Sequence, residues 1–228
     1  MINSIETKEQ ILSDSYSGTI PILISENHVL FPKTTYTCEV SNPVDINLIK
    51  HAESNDNLIT VTLNGKENNS LMEFYKIGTL AQLIGVNEKS PDHFEIQLIG
   101  LEKVEIFEAV SNYSFKIGTV SILHDIKSSS DNDYEKKRLV ESFSRFIHVS
   151  HHSMEKSLIH YPLINKEMLT NIISSLIPIS NKEQQKLLEL PDLGLRLEIV
   201  CQYLENDGDK KEKDDILSIF DPIPINWN

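Results

Sequence analysis

Two apolar segments that contain glycine constrain the fold of this 228-residue chain more than any other feature. In residues 77–84, a glycine follows the first apolar residue and the side chains then alternate with the period of a strand. In residues 96–104, an apolar strand meets Gly100 and a second strand begins at once. Small residues allow strands to bend at such points. Together the two segments predict a curved antiparallel sheet.

The composition is that of an ordinary globular chain. Hydrophobic residues make up 39% of the sequence, and the length allows one large or two modest domains with a real core. No apolar run reaches about 18 residues, so neither a transmembrane helix nor a membrane partner is expected. Residues 1–10 lack the basic start and apolar core of a signal peptide, so we predict a cytoplasmic protein. Cys38 and Cys201 lie in largely apolar surroundings and are predicted to be buried thiols.

The net charge of −13 argues against a nucleic-acid partner. Such a field repels phosphate backbones. The densest basic run covers residues 136–138 and is flanked by Glu135 and Glu141, so it is interpreted as a solvated helix face. No nucleic acid is expected among the partners.

The apolar pattern divides the chain into segments. Residues 1–18 form a polar lead-in, and residues 19–125 are dominated by strands, with one helix that starts at Pro43. The predicted strands cover residues 20–24, 36–40, 58–63, 77–86, 93–99, 101–109 and 115–123. Pro21 suits an edge strand or the first residue of a strand. So many strands around one helix predict a compact, barrel-like mixed β domain.

Beyond residue 125 the apolar spacing becomes helical, and residues 131–205 are predicted to form a small helical bundle. Ser180 and Glu183 form a capping box at the start of one helix, and Asp192 can cap the last one. Residues 206–228 are a charged linker followed by an apolar tail with the only tryptophan. The tail is predicted either to fold back on its own domain or to dock on a partner.

Several of these segments resemble the N-terminal domain of Lon proteases, which recognises protein substrates. The resemblance runs over residues 19–205 and is carried by residues 20–23, 29–32, 77–81, 100–104 and 176–197. The last segment is the most specific, because it resembles the family's L-x-I-x-x-E-E-K-Q-x-L-L-E-x-x-D-x-x-x-R-L pattern. Lys33 stands where the family has a turn glycine, which costs conformational energy if the turn requires a positive φ. Residues 41–43 replace the family's Phe-Glu-Pro step.

The resemblance implies an α+β fold, with a compact pseudo-barrel mixed β domain (PUA-like, after pseudouridine synthase and archaeosine transglycosylase) followed by a small α-helical bundle. It also implies recognition of unfolded segments or of a partner protein, without catalysis. Gly65 and Lys66 form no phosphate-binding loop, because Glu67 follows them and Thr60 stands where such a loop needs glycine. No Gly-x-Ser-x-Gly segment occurs. We therefore expect a free-standing, non-enzymatic, ATP-independent protein-binding domain without a cofactor.

The predicted binding residues are apolar side chains beside turns and in the tail. They are Leu30, Phe31, Pro32, Phe74, Tyr75, Phe220 and Trp227. A protein that binds unfolded segments needs such side chains exposed and rimmed by polar ones. The alternative interpretation is that Phe31 and Phe74 fill the core at strand ends.

No metal site and no catalytic residue is predicted. His148 and His152 have the spacing of two ligands on one helix face, but no glutamate completes a zinc motif there. Together with His151 and His160, they are interpreted as solvent-facing or hydrogen-bonded side chains. Two other functions stay open. One is nucleic-acid binding by the PUA-like β core, and the other is hydrolysis at an unrecognised site.

Overall fold

A computed structural model describes residues 17–65, 73–110, 114–126, 133–147 and 165–207. The chain divides into two compact units. Unit 1 consists of Met1–Asp125 and Ile179–Pro191, and unit 2 consists of Ile126–Pro178 and Asp192–Asn228.

The described part of unit 1 contains six strands and two helices. The strands are β1 (Ser17–Ser25), β2 (Thr35–Val40), β3 (Leu58–Leu63), β4 (Ile77–Ser90), β5 (His93–Val110) and β6 (Lys116–Ile122). Helix α1 (Pro43–Glu53) lies between β2 and β3 in sequence. The described part of unit 2 contains α2 (Asp133–Phe146), α3 (Lys166–Leu176) and α5 (Leu193–Asp207), whereas α4 (Asn181–Glu189) belongs to unit 1.

The six strands form one mixed sheet that closes on itself. Their order is β2-β5-β4-β3-β1-β6, and β6 also pairs with β5, so five strands complete a ring with β2 outside it. The pairing of β1 with β3 is parallel, and the other strand pairings are antiparallel. The predicted α+β class, with a compact pseudo-barrel of mixed strands, is therefore confirmed.

Strand β5 runs without interruption through Gly100, although the sequence predicts two strands that meet there. The prediction of a break was wrong, because β4 pairs with β5 on both sides of the glycine. A register shift between Leu80 and Ala81 absorbs the extra residue, and the ladder continues. The first half of β5 also pairs with β2 and the second half with β6. One long strand thus pairs with β2, β4 and β6 and closes the ring of strands.

The prediction that Pro21 lies in an edge strand or at the first residue of a strand was wrong, because β1 lies between β3 and β6 and Pro21 is its fifth residue. Its position within β1 explains why proline is tolerated. Pro21 is opposite Ile117 of β6, whereas the pairing of β1 with β3 begins only at Ile22. The missing N–H therefore falls where the second ladder has not yet begun.

Helix α1 covers one of the two apolar clusters of unit 1. It begins as predicted, with Pro43 in the first turn and with Asn42 Oδ1 accepting the backbone N–H of Val44 at 2.9 Å. Its buried residues join the cluster that also contains apolar side chains of β3, β4 and β5; they are Ile46, Leu48, Ile49 and Ala52. The second cluster is formed by Ile20, Ile22, Leu80, Val104, Ile106, Val120 and Ile122.

Helix α4 lies in the sequence segment predicted as bundle but shares unit 1 with the strands. The predicted capping box is present, since Ser180 Oγ accepts the N–H of Glu183 and the Glu183 carboxylate accepts the N–H of Ser180. The Gln185 side chain donates to the carbonyl of Ile77 at 2.9 Å. At the end of the helix, Lys103 Nζ donates to the carbonyl of Leu190 at 3.1 Å.

In unit 2, helices α2 and α5 each bury an apolar face. Leu139, Phe143, Phe146 and Ile147 of the α2 segment are buried, as are Leu197, Val200, Cys201 and Leu204 of α5. Asp192 Oδ1 accepts the N–H of Leu195 at 3.0 Å, so the predicted cap of α5 is confirmed. No described helix is both long and apolar enough to cross a membrane.

Candidate functional site

The turn that contains Leu30, Phe31 and Pro32 is buried in unit 1. Leu30 is 2% exposed and Phe31 is 0% exposed, and Pro32 is also buried. The carbonyl of Phe31 accepts hydrogen bonds from both the N–H and the Oγ1 of Thr34. Contact with a partner through these three side chains would require the turn to open. The structure therefore matches the core-filling interpretation for Phe31.

The same turn contains the lysine that replaces the family's glycine. Lys33 has φ of 64°, in the left-handed region that favours glycine. Its N–H donates to the carbonyl of Gly100 at 2.8 Å, and its Nζ pairs with Glu102 at 3.2 Å. The turn does require a positive φ, and the chain adopts it with a non-glycine residue.

Phe74 and Tyr75 are half-buried at the entrance to β4. Phe74 packs against the second apolar cluster and forms an isolated bridge with Asn64. The carbonyl of Tyr75 accepts a hydrogen bond from Thr62 Oγ1 at 2.7 Å. Both side chains keep some accessible surface, so their predicted role in partner binding stays a prediction. Phe220, Trp227 and the four clustered histidines lie outside the described residues.

The most exposed apolar side chain of β5 was not predicted as a binding residue. Phe107 is 58% exposed, and Val110 in the same strand is 47% exposed. Phe107 is the extra residue in a bulge, because Ile106 pairs with Val120 and Glu108 already pairs with Thr119. Ile106 points into the second apolar cluster, whereas Phe107 faces solvent. We call residues 105–110 the ribbon end.

The ribbon end is acidic as well as apolar. Glu105 and Glu108 are its carboxylates, and neither forms an ion pair with another residue of the described ranges. Apolar side chains rimmed by charges are typical of protein-binding surfaces. One sequence signal could have revealed Phe107. Phe107 lies two residues from the charged Glu105, and side chains two residues apart in a strand lie on the same face, so Phe107 is expected on the solvent-facing side of β5.

A second exposed feature is the outer edge of β2. Thr35, Thr37 and Glu39 are exposed, whereas Tyr36 and Cys38 are half-buried against the first apolar cluster. At the far end of the strand, Lys89 Nζ lies 3.0 Å from Glu39 and 2.8 Å from Glu95. The hydrogen bonds from Lys89 lower the pKa of both carboxyl groups. This end of the β2 edge therefore carries a lysine that forms ion pairs with two carboxylates.

The two cysteines are free thiols, as predicted, with Cys201 buried and Cys38 half-buried. Burial raises the pKa of Cys38 to about 11 and that of Cys201 to about 12. Both thiols are therefore protonated near neutral pH, where the thiolate is the reactive form. The described residues contain no group of three or more His, Cys, Asp or Glu side chains that could hold a metal ion.

Comparison with known proteins assigns the family. The model of the ATP-dependent protease La (Lon) substrate-binding domain matches residues 19–206. The chain therefore belongs to the Lon substrate-binding domain family, which confirms the resemblance inferred from sequence.

Among curated relatives, the Lon protease of Cytophaga hutchinsonii is 26% identical over 209 residues, which covers 89% of this chain and 26% of that protein. The Lon protease of Flavobacterium johnsoniae is 26% identical over 222 residues, which covers 93% of this chain and 27% of that protein. The chain thus spans about a quarter of the length of these relatives.

Solved structures show the same fold. The N-terminal domain of Mycobacterium avium complex Lon protease aligns with a TM-score of 0.63 at 13% identity, covering 83% of this chain and 99% of that one. The Lon N-terminal domain protein from Xanthomonas campestris aligns with a TM-score of 0.61 at 16% identity, covering 82% and 98% of the two chains. At these identities the likeness concerns the fold alone.

Proposed function

We propose that this chain is a polypeptide-binding module that recognises segments of unfolded or partner proteins through apolar surface and does not cleave them. The observation that carries the proposal is the solvent-facing Phe107, beside Val110, in a domain whose family is described by substrate binding. Aromatic side chains are frequent anchors at protein interfaces. An exposed phenylalanine otherwise has a solvation cost, and a bound partner would remove it.

The size of the ribbon end suits weak and reversible contact. Burying the exposed parts of Phe107 and Val110 contributes on the order of 1 kcal/mol each, before the cost of ordering the bound segment. Such a contact alone gives low affinity. Low affinity is suited to a module that samples many segments and retains those that offer further contacts.

The charge of the ribbon end defines which segments it favours. Glu105 and Glu108 flank Phe107, and the whole chain has a net charge of −13. Segments with lysine or arginine near apolar residues would be attracted, and acidic segments would be repelled. This attraction is expected to weaken as salt is added. We place the protein in the cytoplasm, where its two free thiols would stay reduced.

Binding to unfolded lysozyme tests the proposal. Lysozyme that has been reduced and alkylated with iodoacetamide is a permanently unfolded basic chain, and native lysozyme is its matched folded control. We expect the protein to bind the unfolded form, to ignore the native form and to leave the probe intact on a gel with or without ATP. Equal binding to both forms, absence of binding, or fragments of the probe would each contradict the proposal.

A further inference from the structure

Strand β2 has one free side. In the described part of the chain it pairs only with β5, at one end of the strand order. Six consecutive residue pairs join the two strands in an unbroken register. Among the described residues, the other side of β2 is therefore an unpaired sheet edge six residues long.

The hydrogen bonds beside β2 indicate which of its backbone groups face that edge. The N–H of Gly100 donates to the carbonyl of Thr34 at 2.8 Å, so Thr34 and Gly100 occupy a hydrogen-bonded position of the antiparallel ladder. Hydrogen-bonded and non-hydrogen-bonded pairs alternate along such a ladder. The next pair, Thr35 with Ile99, is then non-hydrogen-bonded, and so are the pairs of Thr37 and Glu39. These three residues direct their N–H and C=O groups away from β5, toward the free edge.

Natural edge strands usually carry features that block further pairing, such as a proline, a bulge or a lysine within the strand. β2 has none of these over Thr35–Val40. β4, by contrast, contains three register shifts. The one charged residue of β2 is Glu39, which the Lys89 side chain already pairs. No segment that the structure describes pairs with the edge over Thr35 and Thr37.

The two faces of the edge differ in polarity. Tyr36 and Cys38 pack against the first apolar cluster but stay half-exposed, and Thr35 and Thr37 face the other side. An added strand would place alternate side chains beside the apolar pair and beside the threonines. The occupant that fits is an extended segment with alternating apolar and polar residues.

We propose that the β2 edge accepts an extended segment of a client polypeptide as an added strand. This inference rests on the proposed function, because it identifies how the same class of ligand is held. A second copy of the chain fits less well. Two six-residue edges would bury well under the roughly 800 Å² per partner typical of stable complexes. Two copies with a net charge of −13 each would also repel one another.

Replacing Thr37 separates strand addition from other contacts. Thr37→Pro removes an outward N–H without removing a hydrogen bond between β2 and β5, and Thr37→Val is the matched control that keeps the N–H. The probe is a fluorescein-labelled peptide of alternating valine and threonine with a lysine at each end. We expect Thr37→Pro to weaken its binding at least tenfold in fluorescence anisotropy, and Thr37→Val to change it less than twofold. A folded Thr37→Pro variant that binds within twofold of the unmodified protein would overturn the inference.

Peptides methylated on backbone nitrogen test the same idea on the unmodified protein, so the result does not depend on how the variant folds. One peptide carries methyl groups on its valine nitrogens and the other on its threonine nitrogens. Strand addition predicts that one of them loses binding and the other keeps it, because alternate N–H groups face opposite sides of a strand. Equal weakening of both peptides would contradict strand addition.

Two further outcomes separate this inference from the function on which it rests. If the protein binds unfolded lysozyme but shows no difference between the methylated peptides, the edge assignment fails and the proposed function stands. If it binds neither probe, both fail. Sedimentation that shows a dimer of the unmodified protein and a monomer of Thr37→Pro would assign the edge to a second copy and overturn the client assignment.

Discussion

The backbone N–H of Gly100 donates to the carbonyl oxygen of Thr34 at 2.8 Å, in the middle of the longest strand of the sheet. This bond holds the turn that precedes β2 directly on β5. It sets the phase of the β2–β5 ladder and therefore the direction in which the β2 backbone groups point. The turn lies so close to the strand that only glycine fits at position 100.

Replacing Gly100 with alanine is expected to destabilise unit 1. A Cβ there would clash with the carbonyl oxygen of Phe31, which is a backbone atom that cannot rotate away. We expect Gly100→Ala to lower the free energy of unfolding in urea by about 2 kcal/mol or more. Gly85→Ala is the matched control in β4, because its new Cβ would meet the flexible Gln97 side chain at 3.2 Å. Equal effects of the two substitutions would contradict this account of the turn.

Lys33 provides a test of backbone strain in the same turn. Its φ of 64° costs a non-glycine residue on the order of 1 kcal/mol. Both Lys33→Gly and Lys33→Ala remove the ion pair with Glu102, but only glycine relieves the strain. We expect the free energy of unfolding in urea to be about 1 kcal/mol larger for the glycine variant than for the alanine variant. Identical stability of the two variants would show that the turn is not strained.

His28 makes stability depend on pH. Its ring stacks on Tyr36 with a centroid separation of 3.8 Å, and burial lowers its pKa from 6.5 to about 4. The unfolded chain takes up a proton near pH 6.5 while the folded chain does not, so the stabilisation is complete above that pH and is lost as the pH falls toward 4. When the pH is lowered from 7.5 to 5, the free energy of unfolding of the unmodified protein should fall by about 2 kcal/mol more than that of His28→Gln. Urea unfolding at the two pH values measures this difference, and parallel losses would refute it.

The ion pair between Lys103 and Asp125 is buried, with side chains only 5% and 6% exposed. Asp125→Leu leaves the Lys103 ammonium group buried beside the Leu190 carbonyl without its carboxylate partner. We expect the free energy of unfolding to fall by about 3 kcal/mol. Adding Lys103→Met should restore much of that stability, because no charge is then left buried. The control is Glu102→Ala, which breaks the exposed pair with Lys33 and should cost less than about 1 kcal/mol. A double variant no more stable than Asp125→Leu would contradict this explanation.

Features set by neighbouring residues could be predicted from the sequence. The cap of α4 needs only Ser180 and Glu183, and the start of α1 needs only Asn42 and Pro43. Features that depend on distant partners could not. The continuity of β5 through Gly100 depends on how β4 pairs with it, and the grouping of α4 with the strands depends on a contact between Gln185 and Ile77.

The candidate site was harder to predict than the fold for the same reason. Phe31 and Phe107 are both aromatic residues near strand ends, yet one is buried and the other is exposed. The Phe31 turn docks on Gly100, which the sequence alone does not show. Phe107 continues the alternation of β5, in which Ile106 is buried and Phe107 is exposed, and the bulge leaves it without a partner residue in β6. Side-chain exposure thus followed from position in the sheet, not from residue type.

The most direct test of polypeptide binding at the ribbon end is the affinity for reduced and alkylated lysozyme after this surface loses its apolar side chains. Phe107→Thr combined with Val110→Thr places a β-branched residue, which favours strands, at both positions. Tyr134→Ala removes an exposed aromatic side chain from α2 in unit 2 as the matched control. We expect the dissociation constant, measured by fluorescence anisotropy, to rise about tenfold or more for the double variant and to stay unchanged for the control. An unchanged dissociation constant for a folded double variant would contradict the claim that this surface binds polypeptides.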